Sequence, residues 1–309
     1  MRESEVQIGV FALGKSAYLF RKSSVSPREE AYGKDPMNTV DKNREFWNTV
    51  YDWSGGGDEW SAGFGGTEAL WFFVLFPRIH RFVPSTAILE IAPGFGRWTQ
   101  FLKTQCQSMI AVDISEKCVE YCKARFGSET QIQFYTNDGI SLAVVPDDSV
   151  DFVFSFDSLV HVEKDVMEAY LLQLARKLTP DGVGFIHHSN IGSYPGRLRL
   201  VNYYKRLPNA FRREIFTEEN LSALLSINFQ AGRANSMTAT LFRDYCQRAG
   251  LKCIHQEVFN WGMGKCLIDA LSVFTKPNSR WDKGGTSMEN GEFVQSADLT
   301  SRLAKLYCP

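Results

Sequence analysis

The chain contains no apolar run approaching the ~20 residues that a membrane-spanning helix requires, and none of its seven cysteines pairs into a C-x-x-C unit. The first absence leaves no candidate span. The second, in cysteines that are odd in number and widely spaced, argues against a disulfide framework or a zinc site and fits a reducing, cytoplasmic setting. Excess charge is missing too: 34 Lys+Arg against 35 Asp+Glu leave a net −1. A general nucleic-acid binder carries a large basic surplus, so that partner class is not expected. There is no internal repeat and no strong low-complexity tract. Residues 6–13 are apolar but short, and Lys15 follows soon after, unlike a secretory signal.

What is present fits a globular protein able to bury a core, with 44% hydrophobic and 22% charged residues in 309. Residues 1–40 hold Pro27 and Pro36 and read as an N-terminal arm. Residues 41–82 are rich in aromatics, among them Trp47, Trp53 and Trp60, around a glycine stretch at 55–57. They predict a helix, a glycine loop able to serve as a cover, and a second helix over 67–82. From residue 87 the rhythm changes. Apolar runs at 87–91, 109–113, 132–135, 150–156, 182–188, 251–259 and 267–274 predict seven strands. Helical patterns at 98–105, 115–126, 165–178 and 240–249 alternate with them. That alternation predicts an α/β fold: a Rossmann-like, doubly wound sheet with helices on both faces. Residues 190–235 interrupt it with Arg197, Arg199, Lys205, Arg206, Arg212 and Arg213 among tyrosines. They read as an inserted lid segment over the carboxyl edge of the sheet, within a domain spanning 41–275. After Lys276-Pro277 the composition turns polar, and 276–309 reads as a loosely held C-terminal tail.

The turn after the first strand carries the chemistry. Gly94-x-Gly96 lets the backbone approach a ligand where a Cβ would stand in the way. A dinucleotide fingerprint needs a third glycine, and Thr99 occupies that position. Glu90, just before the turn, would repel a pyrophosphate but suits a ligand end carrying an ammonium and a sulfonium. Asp113 ends the second strand about 20 residues on, where a carboxylate can grip ribose hydroxyls. Asn137-Asp138-Gly139 follows the third strand, and Asp138 can accept from an adenine amine.

With these residues in this order, the stretch 87–190 resembles the class I S-adenosylmethionine (SAM)-dependent methyltransferases. Ala92 stands where that family often has its first glycine, and Leu178-Thr179-Pro180-Asp181-Gly182 resembles its turn into the fifth strand. The resemblance implies SAM as cofactor. It places Gly94 and Gly96 at the methionine part, Asp113 at the ribose and Asp138 at the adenine, with Phe156 lining the same pocket. Glu90, Ala92, Arg97, Trp98, Ile114, Asn137, Gly139 and Asp157 complete the expected cofactor set. The resemblance also implies a closing antiparallel seventh strand at 267–274. The segments at 47–53, 77–80, 154–161 and 185–190 together resemble bacterial methyltransferases encoded with polysaccharide-building enzymes. That likeness implies O-methylation of a saccharide.

A sugar hydroxyl is a weak nucleophile at neutral pH, so a base or a metal helps its attack. His161, past the fourth strand at the carboxyl edge, is the first candidate base. Asp157 lies four residues earlier. In a helical turn the two would share a face, where they could hold Mg2+ or Asp157 could orient the imidazole. His188, with Ser189 and Asn190, is a further candidate, because alternation along the fifth strand sends His187 and His188 to opposite sides. His80 and His255 read as structural. Trp53, Trp60, Tyr194 and Arg197 are candidate contacts to an acceptor. Other readings remain open: methylation of a small molecule such as a quinol or polyketide, a non-catalytic SAM-fold binding protein, and a nicotinamide oxidoreductase, which Glu90 and Thr99 disfavour. The acceptor is thus a carbohydrate or small molecule, and a homodimer is allowed.

Overall fold

The computed structural model describes residues 39–207, 232–261 and 265–307. Helix α1 (Val40–Glu45) is capped by Thr39, whose hydroxyl accepts from the Lys42 N–H, and winds on through wider turns to Val50. Tight 3-10 turns at Trp53–Gly55 and Asp58–Phe64 form the glycine loop. Then α2 (Thr67–Leu70), a wide-turn stretch Trp71–Leu75 and α3 (Phe76–Ile79) run together as one helical segment.

Eight strands follow: β1 (Ser85–Ile91), β2 (Cys106–Asp113), β3 (Ile132–Thr136), β4 (Val150–Ser155), β5 (Leu178–Ser189), β6 (Lys252–Phe259), β7 (Asp269–Thr275) and β8 (Thr286–Asn290). They make one sheet in the order β3-β2-β1-β4-β5-β7-β6-β8. The first five pair in parallel, and β7 runs antiparallel to both β5 and β6. The seventh strand is therefore reversed as expected, but it is not the last. An eighth, β8, pairs in parallel with β6 at the sheet edge, so the expected seven strands are corrected to eight among the described residues.

Intervening helices are α4 (Thr99–Leu102), α5 (Glu116–Arg125), α6 (Lys164–Lys177), α7 (Pro195–Arg206), α8 (Ala239–Arg248) and α9 (Phe293–Tyr307). Strand alternation divides the core into two layers. Phe152, Phe154 and Phe185 point to the face that packs α2, α3 and Val119 and Cys122 of α5. Leu89, Val153 and Ile186 point to the opposite face, against Leu171 and Leu174 of α6 and Phe242 of α8. Each such buried side chain contributes about 1.5–3 kcal/mol relative to exposure. None of the described helices is long and apolar enough to cross a membrane.

Two peripheral expectations fare differently. Of the segment 190–235, α7 packs Val201 and Tyr204 against Ile191 and Ile268; residues 208–231, with Arg212 and Arg213, lie outside the described residues, as do 1–38 of the arm. The tail is not loosely held over its described part. Besides β8, α9 buries Phe293, Ala297 and Ala304. Phe293 packs 4.1 Å from the Phe259 ring and 5.9 Å from that of Phe64. A Cβ on Gly65, whose φ is +91°, would come within 2.7 Å of the Ala304 methyl. The last helix is thus seated directly on the glycine loop.

The sheet order reverses between β1 and β4, since β1 leads to β2 on one side and β4 leads to β5 on the other. The crevice at the carboxyl ends of such strands is where open α/β sheets bind ligands.

Candidate active site

A cavity opens at that crevice. Ile91, Ala92, Gly94, Asp113, Asn137 and Phe156 line it from the strand ends. Trp47 closes it from the wide turns after α1, Trp53 and Trp60 from the glycine loop, and Asp157 and His161 face it from beyond β4.

The turn after β1 is built from left-handed residues: Ala92 at φ 59°, Gly94 at 59° and Gly96 at 80°. Ala92 adopts the conformation that glycine adopts more cheaply, and its N–H donates to Val112 O at 2.7 Å. At Gly94 the absent side chain matters most, because a Cβ there would lie 2.9 Å from the Trp53 ring. Trp53 stacks on Phe95 (4.4 Å, 12°), and Phe95 on Tyr121 (3.7 Å, 9°). The Trp53 indole N–H donates to Trp47 O. The aromatics at 47–60 form a small core of their own that holds the loop down over the turn.

Glu90 lies one layer below the turn and does not reach the cavity wall. Thr99 Oγ1 donates to its Oε2 at 2.6 Å. The acid and the threonine that replaces the third glycine are therefore two halves of one contact. Burial raises the Glu90 pKa to about 8 against that hydrogen bond. Its Oε1 is buried and finds no hydrogen-bond partner among the described residues. Asp113 does line the cavity. Its Oδ2 accepts from Gly94 N–H at 3.0 Å and its Oδ1 from Ser115 N–H at 2.8 Å, tying the two ligand-facing loops together. Burial lifts its pKa to about 6, with these hydrogen bonds acting in the opposite direction. The helix-cap role that a strand-end aspartate often takes falls to Ser115, whose hydroxyl accepts from Cys118 N–H.

Arg97, Trp98, Ile114 and Gly139 also line the cavity. Asp138 does not: its carboxylate accepts from Ile140 and Ser141 N–H in a local turn. Gly96 is turned toward Phe126. Along β5 the two histidines separate as alternation requires, but the roles are the reverse of those expected. His188 is buried away from the cavity, stacked on Phe242 at 4.3 Å and bonded to Ser272 Oγ at 2.8 Å. Asn190 is spent on a turn, with Ser193 Oγ and Ala239 N–H donating to its Oδ1. His187 meets the loop after β4: its Nδ1 accepts from Asp157 N–H at 3.2 Å and its Nε2 lies 3.3 Å from Asp269 Oδ2. Tyr194 and Arg197 sit together beside Cys266, away from the cavity lining.

Asp157 stands at φ 61°, outside the 3-10 turn Leu159–His161, so it shares no helical face with His161. Its carboxylate faces guanidinium groups: Arg97 Nη2 at 3.0 Å and Arg233 Nη2 at 3.9 Å. That donor set does not fit Mg2+, which needs carboxylate oxygens turned toward the ion, and no group of three His, Cys, Asp or Glu is clustered for a metal among the described residues. His161 Nδ1 lies 2.9 Å from Gly232 O. A carbonyl only accepts, so Nδ1 carries the proton and Nε2 keeps its lone pair. Burial, reinforced by the charge of Arg233, pushes the imidazole pKa down to about 4.

Sequence reasoning missed Arg233, Asp269 and Trp47. Arg233 forks onto Asp269 (Nε to Oδ1 3.0 Å, Nη2 to Oδ2 2.9 Å). Burial alone would raise the Asp269 pKa, but Arg233 and His187 hold it well below the usual carboxylate range. A single acid in the mostly apolar run 267–274 was the available signal. Trp47 packs its ring 5.6 Å from that of His161.

Residues 88–182 match the family described as "Methyltransferase domain". No curated protein matches the chain. Among solved structures, a protein of Pyrococcus horikoshii is 18% identical, with 75% of this chain and 95% of that one covered and a TM-score of 0.47. A SAM-dependent methyltransferase of Methanosarcina mazei is 16% identical over 65% of this chain and 98% of that one, with a TM-score of 0.48. PKMT2 of Rickettsia typhi, solved in complex with AdoHcy, is 12% identical over 64% and 51%, with a TM-score of 0.42. Residues 88–182 are thus a methyltransferase domain.

Proposed function

We propose that the chain is a SAM-dependent methyltransferase that alkylates a hydroxyl of an uncharged, ring-shaped acceptor, with a saccharide as the class that fits best. The observation that carries the reading is His161. It is a neutral imidazole at the cavity wall whose Nδ1 proton is committed to Gly232 O, leaving Nε2 as an acceptor. Trp47 and Trp60 stand on the same wall and offer ring faces of the kind that stack on sugars.

Asp113 would hold the ribose of SAM, and the loops at 92–97 and 137–139 its methionine and adenine ends. When bound, SAM supplies a methyl group on a positively charged sulfur, already activated for in-line displacement. The protein's part is alignment and proton removal. Trp53, seated on Gly94, excludes water from the turn. His161 Nε2 accepts the hydroxyl proton as the oxygen forms its bond to carbon. With a pKa of about 4 in the free protein, His161 is unprotonated throughout the neutral range; it is a modest base that is always available. Asp157 and Asp269 favour the imidazolium that forms, since both act to raise that pKa.

The test is methyl transfer from SAM to two acceptor panels, neutral mono- and oligosaccharides and phenolic or quinol compounds, read by mass spectrometry. Methylated sugar, lost in His161→Ala, supports the reading. Transfer to the phenolic panel alone would assign the enzyme to small-molecule methylation instead.

A further inference from the structure

Five side chains run in a buried row along the carboxyl edge of the sheet: Arg97, Asp157, Arg233, Asp269 and His187. Arg97 pairs with Asp157 at 3.0 Å, Asp157 lies 3.9 Å from Arg233, and Arg233 forks onto Asp269, which faces His187. Two guanidinium groups alternate with two carboxylates, so the row balances to zero. Arg97 and Asp157 front the cavity, whereas Arg233 and Asp269 stand behind them, outside the lining.

Such a row is not explained by stability. Well-packed apolar residues of the same volume generally do as well as a buried ion pair, while an unbalanced charge in that setting is strongly unfavourable. The row is also held at a cost, since Asp157 occupies a left-handed backbone conformation that non-glycine residues rarely adopt. The Asp157 N–H donating to His187 fixes it there. Arg97 is equally constrained. Its guanidinium lies 5.2 Å from the Trp60 ring and 4.5 Å from that of Trp98, with Ser61 Oγ 3.3 Å from Nη1. Among the described residues, the carboxylate that pairs with it at the wall is that of Asp157.

We propose that Asp157 is a specificity-determining residue: by neutralising Arg97 at the cavity wall it selects an uncharged acceptor over an anionic one. An acidic sugar entering this site must displace Asp157 from Arg97, whereas a neutral ring need not. The proposal rests on the reading of the acceptor as a saccharide, and its test separates the two.

The probes are methyl glucoside (neutral), glucuronate (anionic), glucosamine (cationic) and inorganic sulfate, titrated into protein saturated with S-adenosylhomocysteine. The readout is the fluorescence of the tryptophans flanking Arg97. Wild-type protein should respond to the neutral sugar and bind glucuronate and sulfate at least tenfold more weakly than Asp157→Asn does. Asparagine tolerates the left-handed backbone, and circular dichroism with a cooperative thermal melt checks that the variant folds. The double variant Arg97→Gln/Asp157→Asn should lose the gain in anion binding. If Asp157→Asn does not fold, Arg97→Gln carries the test from the other side: with Arg233 left to balance both Asp157 and Asp269, the row holds one uncompensated negative charge and should bind glucosamine at least tenfold more tightly than wild type. Wild-type protein that binds anions as tightly as Asp157→Asn, or an Arg97→Gln protein with no gain for glucosamine, overturns the proposal. If no sugar binds any of the proteins, the saccharide reading fails, and sulfate still reports whether Asp157 masks Arg97.

Discussion

Asp113 provides the sharpest test of where the cofactor sits, because its burial moves its titration into an accessible range. With a pKa of about 6 in the free protein, the carboxylate is about nine-tenths ionised at pH 7 and about one-tenth ionised at pH 5. Ribose hydroxyls donate to the ionised form, so affinity should follow the ionised fraction. Between pH 7 and pH 5 the affinity for S-adenosylhomocysteine should fall about tenfold, or about 1.4 kcal/mol. Neighbouring groups do not blur this window: Glu90, at about 8, stays protonated across it, and His161, at about 4, stays neutral. Calorimetric titration at constant ionic strength, in two buffers of different ionisation enthalpy, should show nearly one proton released per ligand bound at pH 5. Asp113→Asn keeps the shape but cannot ionise. It should bind about ten- to a hundredfold more weakly at pH 7, the value of a charge-assisted hydrogen bond, and lose the pH dependence. Equal affinity of the wild type at pH 5 and pH 7, or an Asp113→Asn protein that keeps the slope, would refute the placement of the ribose.

Three further outcomes follow from the geometry. His161→Ala should lower turnover by roughly 10²- to 10⁴-fold while changing S-adenosylhomocysteine affinity little; steady-state kinetics beside calorimetry decides, and full activity removes His161 as the base. Glu90 has a folded-state pKa raised from 4.5 to about 8, so the native state binds more protons than the unfolded chain and stability is lost as pH rises through that window. The loss amounts to about 5 kcal/mol at most, and Glu90→Gln should flatten a decline in melting temperature that the wild type shows between pH 5 and pH 9. Phe293→Ala should cost about 3–5 kcal/mol, as for other buried phenylalanines; an unchanged denaturant midpoint would mean that α9 is not docked as described.

The elements legible in the sequence are those with a repeating apolar signal. Strands β1 to β5 and helices α5 and α6 alternate with clear breaks, and the glycine turn announces itself by Glu90, Gly94 and Gly96. Strand β8 carries no such signal: Thr286-Ser287-Met288-Glu289-Asn290 is mostly exposed at an edge, and its pairing depends on a neighbour about 30 residues earlier. Helix α9 could have been read, because Phe293, Ala297, Thr300 and Ala304 recur at helical spacing on its buried side. Within the site, alternation says that His187 and His188 diverge but not which faces inward. The packing of Phe185 and Ile186 into opposite core layers decides it. Arg233 and Asp269 are 36 residues apart in sequence, and no local pattern links a loop arginine to a buried strand aspartate.

The seating of α9 on Gly65 has a consequence for how the protein is made. A chain emerging from the ribosome delivers the glycine loop early and β1 with its turn soon after. The surface that supports the loop from behind, Phe293 to Ala304, appears only after all eight described strands. Domains generally acquire structure in the order of synthesis, yet here the far end of the cavity's cover, at Gly65, gains its support only from α9. A nascent chain stalled before residue 293 should expose Trp53 and Trp60 to proteases and chaperones while its sheet is already formed. Competence to retain the cofactor should then follow the emergence of α9.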